Sequence, residues 1–312
     1  MTVKIVTDST SDLPQELIEE FEITIVPAYV QFGGKTYRDG VDISQDEVYK
    51  KMLDDEIVVK TSQPPPADFI TVYKKLLEEA NEIISLQVTG KLSGIFNSAV
   101  QAKEMIGAGD RVTVVDSQST SMGLGLTTLS AARMAKAGEG LMEIMEEIKS
   151  SLSRTHLWGI FDTLKYLYLG GRIGNAKALL GGMLRVKPML TMANGELQPT
   201  GLARSRSKGL DKLFEHVKNY FNIQDVAIVH STTPEDAQSL KERIGTIFDK
   251  NNIHISRLGP ALGVYGGPGT LILTLREKVS DLTEKGETEK KRTISLPSFP
   301  SVHLPKIKFA SL

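Results

Sequence analysis

Four short runs rich in β-branched and aliphatic residues, at 3–7, 24–32, 83–88 and 112–116, alternate with longer stretches of helical periodicity at 14–21, 45–53, 67–80 and 95–106. Strands separated by crossover helices form a mostly parallel sheet, so this alternation predicts an α/β fold of the Rossmann-like kind with helices flanking the sheet. Sheets of that type bind ligands outside the carboxyl ends of their strands, which makes the residues after each strand the informative ones. The first run is followed by Asp8-Ser9-Thr10-Ser11-Asp12, the third by Thr89-Gly90-Lys91-Leu92-Ser93-Gly94, and the fourth by Asp116-Ser117-Gln118-Ser119-Thr120. Any one of these segments alone reads as a plain helix N-cap; several at one sheet edge point to a site. In addition, Thr61-Ser62-Gln63-Pro64-Pro65 and Lys91-Leu92-Ser93-Gly94-Ile95-Phe96-Asn97-Ser98-Ala99 each put a hydroxyl where a strand gives way to a helix. Unpaired backbone N–H groups at a helix start lie at the positive end of its dipole, so the pair suits a carboxylate or a phosphate.

At 312 residues the chain exceeds the size at which a single core usually stops growing, so two domains are expected. Helices at 121–137 and 141–153 precede a change of texture near residue 155, which gives an N-terminal α/β domain over 1–154 and a second domain over 155–279. The second half contains Trp158-Gly159-Ile160-Phe161, an Asn194-Gly195 pair between the runs 186–193 and 196–202, a strand at 226–230 and a glycine-rich return to a strand at 269–276. Asn-Gly is a strong hairpin signal, because both central turn positions need positive φ. The second domain is therefore expected to be α+β with antiparallel pairing. Residues 163–173 lead into an apolar helix near 175–184, which either walls a pocket or packs between the domains. From about Ser280 the pattern dissolves into a Lys/Glu-rich stretch and Ser295-Leu296-Pro297-Ser298-Phe299-Pro300, so 280–312 reads as a disordered tail. The alternative for that tail is a docking peptide presenting Leu296, Phe299, Val302 and Leu304.

Several function classes fall away. Lys plus Arg at 37 against Asp plus Glu at 38 leaves a net charge of −1, so no global field draws in nucleic acid or an anionic membrane. No apolar run approaches the ~20 residues of a membrane span. Cysteine is absent, which excludes disulfides, thiolate metal sites and a Cys nucleophile. The N-terminus enters a strand pattern directly, without signal-peptide architecture, and a cytoplasmic protein with no integral membrane association is expected. There is no Gly-x-x-x-x-Gly-Lys-Ser/Thr loop, no Gly-x-Ser-x-Gly elbow and no His-Glu-x-x-His motif. Histidines 156, 216, 230, 254 and 303 are scattered, so neither a Ser-His-Asp triad nor a zinc site is supported. His230, at the end of a strand, stays a pocket candidate, whereas Gly123-Leu124-Gly125 reads as helix packing. No cofactor is expected.

Six segments together resemble the DegV family across about residues 3–279. They are Lys4-Ile5-Val6-Thr7-Asp8-Ser9-Thr10-Ser11-Asp12-Leu13-Pro14, Lys60-Thr61-Ser62-Gln63-Pro64, Leu92-Ser93-Gly94 with Asn97-Ser98-Ala99, Val115-Asp116-Ser117, Gly170-Gly171-Arg172-Ile173, and the loop Gly263-x-x-x-Gly267-Pro268-Gly269. The resemblance implies a two-domain, non-enzymatic protein that binds a long-chain fatty acid between its domains. It also implies a partner, since some members are the acyl-carrying subunit of bacterial fatty acid kinase. Thr61, Ser93 and Gly94 would hold the carboxylate by hydroxyl and backbone donors, and Arg172 and Arg204 would be positive groups near the phosphoryl-transfer mouth or the kinase contact. One position departs from the family's pattern. Its glycine-rich loop usually carries a histidine where this chain has Tyr265, and a phenol, with an ordinary pKa of about 10, can donate a hydrogen bond but adds no positive charge at pH 7.

The residues support that implication on physical grounds, because an anionic head with a long apolar tail needs a few convergent donors at one end and a dry channel behind them. Two rivals stand beside it. One is a carrier of another amphipathic anion, such as an isoprenoid acid or a phospholipid. The other is a metal-dependent phosphotransferase or hydrolase using Asp8, Ser93 and Asp116.

Overall fold

The computed structural model describes residues 2–54, 59–182 and 186–279; the expected tail at 280–312 lies outside the described residues. The first half runs β1 (Val3–Asp8), α1 (Gln15–Glu20), β2 (Thr24–Val26), β3 (Tyr29–Phe32), β4 (Lys35–Arg38), α2 (Gln45–Asp54), β5 (Lys60–Ser62), α3 (Pro66–Glu79), β6 (Glu82–Gln87), α4 (Ile95–Met105), β7 (Val112–Asp116), α5 (Met122–Lys136) and α6 (Leu141–Arg154). The second runs β8 (Thr155–Ile160), α7 (Lys165–Leu169), a 3-10 stretch (Gly174–Gly182), β9 (Lys187–Ala193), β10 (Glu196–Ala203), α8 (Arg206–Lys218), β11 (Ile223–His230), α9 (Pro234–Ile244), β12 (Ile253–Arg257), α10 (Pro260–Gly266) and β13 (Leu271–Glu277).

The predicted parallel sheet is present, with strands in the order β2-β1-β6-β7 and every pairing parallel. The single strand expected over 24–32 is instead two. Pro27 has no N–H to continue a ladder, and just past it the Ala28 N–H donates to Ser9 Oγ at 3.0 Å while the Ala28 carbonyl accepts from Asp39 N at 2.8 Å. The chain leaves the first sheet there, and β3 becomes the centre of a small antiparallel sheet in the order β4-β3-β5. That sheet was not anticipated from the sequence, and it carries Thr61 on β5, opposite Val30.

A six-stranded sheet, β10-β9-β8-β13-β11-β12, is antiparallel except between β11 and β12. The hairpin forms where Asn-Gly placed it, with φ of 51° at Asn194 and 77° at Gly195, and its tip is held by Thr89 Oγ1, which donates to the Gly195 carbonyl at 3.1 Å. The helix expected near 175–184 is a correction. The segment winds as 3-10 turns, with Ala176 N donating to the Ile173 carbonyl, because glycines at both ends favour no regular α-helix.

Hydrophobic packing joins the halves. One core contains Ile5, Val6 and Leu124 from the first half together with Leu157, Val229, Leu258 and Ile272 from the second, and a separate cluster around Ile160, Leu213 and Leu273 stabilises the second sheet against α8 and α9. Arg276 on β13 adds a polar tie. It is 1% exposed and donates to Ser130 Oγ of α5, Glu147 Oε1 of α6 and Asp225 Oδ2 of β11, at 2.9, 2.8 and 3.0 Å. Gly123 and Gly125 are buried within α5, as packing positions should be.

Candidate functional site

The carboxyl edge of the parallel sheet faces β8, β9 and β13 of the second sheet, and a cavity lies between them. Thr10 follows β1, Ala28 follows β2, Val88 and Ser93 follow β6, and Thr120 follows β7; Leu157, Gly159, Leu190 and Ile272 line it from the other side. The cavity offers about 110 Å³ to the centres of water-sized molecules. Its interior is aliphatic and aromatic, with Ile95, Leu167 and Phe161 among the lining side chains. Four threonines also line it, Thr10, Thr61, Thr120 and Thr270. Thr10 donates to Asp8 and Thr270 to the Gly266 carbonyl.

Polar groups gather at one end. Ser93 precedes α4, and the Ile95 N–H donates to Ser93 Oγ at 3.3 Å, which leaves the serine's own proton uncommitted. Gly94 caps this helix start without a side-chain cap. A Cβ there would meet the side-chain amide of Gln63 at 2.9 Å, so glycine leaves room for that amide beside the helix start. Thr61 Oγ1 and the Tyr265 hydroxyl are 2.5 Å apart. The Tyr265 ring rests on the backbone of Gly170, where a Cβ would come within 2.4 Å of it, and the Arg172 guanidinium lies over the ring at 5.1 Å from its centroid. Arg172 is itself anchored, donating from Nε to the Leu92 carbonyl at 3.3 Å and from Nη1 to the Gly170 carbonyl at 2.8 Å.

This end of the cavity is a junction. An outer cleft of about 530 Å³, bounded by Met52, Lys60, Lys165 and Leu169, shares Thr61, Tyr265 and Arg172 with the cavity. Another, of about 380 Å³, is bounded by Lys91 and Glu196 and shares Ser93, Gly94 and Arg172. Thr61, Ser93, Gly94, Tyr265 and Arg172, expected at one site from the sequence, are thus brought together. Arg204 is not. It is exposed in the turn between β10 and α8 and lines neither the cavity nor the outer clefts. His230 is likewise absent from the lining, and burial pushes its pKa down.

The acidic residues of the enzymatic rival serve the fold. Asp8 accepts from Thr10 N at 2.9 Å, Thr10 Oγ1 at 2.5 Å and Val88 N at 2.8 Å. Asp116 accepts from Gly90 N at 3.1 Å and Gln118 N at 2.7 Å. With both oxygens of each carboxylate on local donors and neither residue lining the cavity, a metal-dependent reaction at Asp8, Ser93 and Asp116 finds no support. Among the described residues no group of three or more His, Asp or Glu is arranged to hold a metal.

Sequence reasoning missed the buried carboxylates that moor α10, the helix carrying Tyr265. Asp12 Oδ1 accepts from Gly259 N at 2.8 Å and Asp39 Oδ2 from Ala261 N at 3.3 Å, while Ser121 and Ser9 donate to the same two carboxylates at 2.5 and 2.8 Å. Burial pushes Asp12 up to about 8, with the neighbouring Asp39 and Asp8 carboxylates adding to the rise, and burial raises Asp39 to about 6. The Asp-rich segment after β1 was visible in the sequence, but nothing in it announced a partner some 250 residues away, as Gly259 is from Asp12.

Comparison with known proteins places the chain among relatives. Residues 2–278 match the model of a family described as uncharacterised proteins, the DegV family. A DegV domain-containing protein of Deinococcus radiodurans is 37% identical over 280 residues, covering 88% of this chain and 98% of that one. Among solved structures, a DegV family protein from Thermus thermophilus, described by its fatty acid binding, superposes with a TM-score of 0.84 at 32% identity over 89% of this chain and all of the other. A stearic acid-binding protein from Eubacterium ventriosum gives 0.80 at 28% identity, over 88% and 98% of the two chains.

Proposed function

This chain belongs to the DegV family, and on that premise we propose that it binds one long-chain fatty acid in the cavity between its sheets, carboxylate at the Thr61 and Ser93 end. The observation that carries the reading is the pairing of a mainly apolar cavity with an end where Thr61, Ser93 and Tyr265 gather at a helix start. At about 0.8 kcal/mol per buried methylene, a tail of about fifteen carbons gains on the order of 10 kcal/mol before entropic costs. Removing a carboxylate from water costs several kcal/mol unless hydrogen bonds replace those it loses. The Ser93 hydroxyl, the Thr61–Tyr265 pair and the backbone at Gly94 supply the replacements, and Arg172 lends positive potential from the rim.

A carboxylate held at the mouth, beside clefts bordered by Arg172, Lys91, Lys60 and Lys165, can be offered to a second protein. We propose a carrier role of that kind, with a separate ATP-dependent fatty acid kinase as the partner, since the sequence contains no phosphate-binding loop of its own. Native mass spectrometry of the purified protein, with solvent extraction of whatever travels with it, tests the ligand. One fatty acid per chain is the expected result. Protein that arrives empty and also refuses added fatty acids would refute the reading. An isoprenoid acid or a phospholipid in the extract would favour the rival carrier.

A further inference from the structure

Tyr265 meets Thr61 through its hydroxyl, and the hydrogen bond between them has a direction that matters. If Thr61 donated to the phenol, Tyr265 would be the residue with a proton to offer a ligand. If the phenol donates, Thr61 is. A phenol is the stronger donor of the two and an alkanol oxygen the stronger acceptor, and the guanidinium of Arg172 over the ring, at 5.1 Å from its centroid, increases the donor strength of the phenolic O–H. The neighbouring hydroxyl has the same arrangement by other means. Ser93 Oγ already accepts from Ile95 N–H at 3.3 Å, so its proton too is left for an acceptor.

We propose that Tyr265 is a positioning residue that acts through Thr61. Its phenol donates to Thr61 Oγ1 and so directs the threonine's proton into the cavity, where it meets the ligand carboxylate beside the proton of Ser93. Two hydrogen bonds in series polarise one another, so the threonine becomes a better donor than it would be alone. Gly170 and Arg172 hold the ring that makes this possible. The relay rests on the fatty acid reading and deepens it, and it explains how a site without a cationic residue committed to the ligand holds an anion.

A double-mutant cycle on stearate binding, measured by titration calorimetry with delipidated full-length protein, tests the proposal. Tyr265→Phe in the natural protein should weaken stearate about two- to twelvefold, the range for one hydrogen bond between neutral groups. In a Thr61→Val background the same change should alter affinity by less than about twofold, and in a Thr61→Ser background, which keeps the hydroxyl, the full effect should return. A merely structural tyrosine would weaken binding equally in all three backgrounds, and that result overturns the relay. So would a Tyr265→Phe loss that persists with Thr61→Val, which is the signature of direct contact with the ligand. Failure of the unaltered protein itself to bind stearate overturns the relay together with the fatty acid reading, and is recognisable because it precedes any substitution.

Discussion

Replacing Asp12 with Asn should change how stability depends on pH, and by a calculable amount. Asp12 sits among Asp8, Asp39 and Tyr49, bonded to Ser121 Oγ and Gly259 N, and burial pushes its carboxyl from 3.8 up to about 8. Between those two values the folded protein keeps a proton that the unfolded chain has released, so stability falls as pH rises. The slope is one proton's worth, about 1.4 kcal/mol per pH unit. Asparagine preserves the shape, its amide oxygen able to accept from Gly259 N and its NH₂ able to donate to Ser121, but it does not titrate. Over the interval from about pH 5 to about pH 7, Asp12→Asn should therefore gain about 3 kcal/mol on the natural protein. Asp39, raised to about 6, is present in both proteins and drops out of the difference. Urea denaturation of the two proteins at matched pH values gives the comparison directly. Two curves separated by a constant offset would mean that Asp12 is ionised in the folded state, and the argument from its burial would be wrong.

Ser93→Ala should lower fatty acid affinity by about 1–3 kcal/mol while leaving the melting temperature of the empty protein nearly unchanged, which calorimetry of binding and of unfolding can check together. Gly170→Ala would bring a methyl within 2.4 Å of the Tyr265 ring; displacement of that ring should cost about 1–3 kcal/mol of stability and weaken ligand binding with it, read by denaturation and by titration. Arg276→Ala leaves Glu147 without one cation and Asp225 with Arg133 and the more distant His254 ring, and a loss of about 3–5 kcal/mol in urea denaturation is expected. Arg204→Ala, at an exposed position away from the mouth, should leave fatty acid binding within about twofold of normal in the same titration.

The parallel sheet, the hairpin at Asn194-Gly195 and most helix spans were legible because they rest on local chemistry: β-branched runs, helical periodicity and a turn that demands positive φ. The small sheet β4-β3-β5 was not, since β4 and β5 are short and polar and only the break at Pro27 signals that the chain changes partners. Within the site, Thr61 and Ser93 were readable as hydroxyls at helix starts, and Arg172, Gly94 and Tyr265 came from the resemblance. Which partner Tyr265 would take was not readable, because Thr61 and Tyr265 are 204 positions apart and meet only through tertiary packing. Arg204 shows the converse. A residue type suited to an anion site ended exposed, outside the cavity and both clefts.

Leu157, Ile272, Val88 and Ile95 belong to the core shared by the two halves and also line the cavity. A lipid lying there would be packed by the same side chains that hold the protein folded, so it would act as a removable piece of the interior. Occupancy and fold stability would then be one quantity, with each tenfold excess of ligand over its dissociation constant adding about 1.4 kcal/mol. The melting temperature of a preparation would report the lipids of the cells it came from, and stripping the protein would soften it before any residue had been changed.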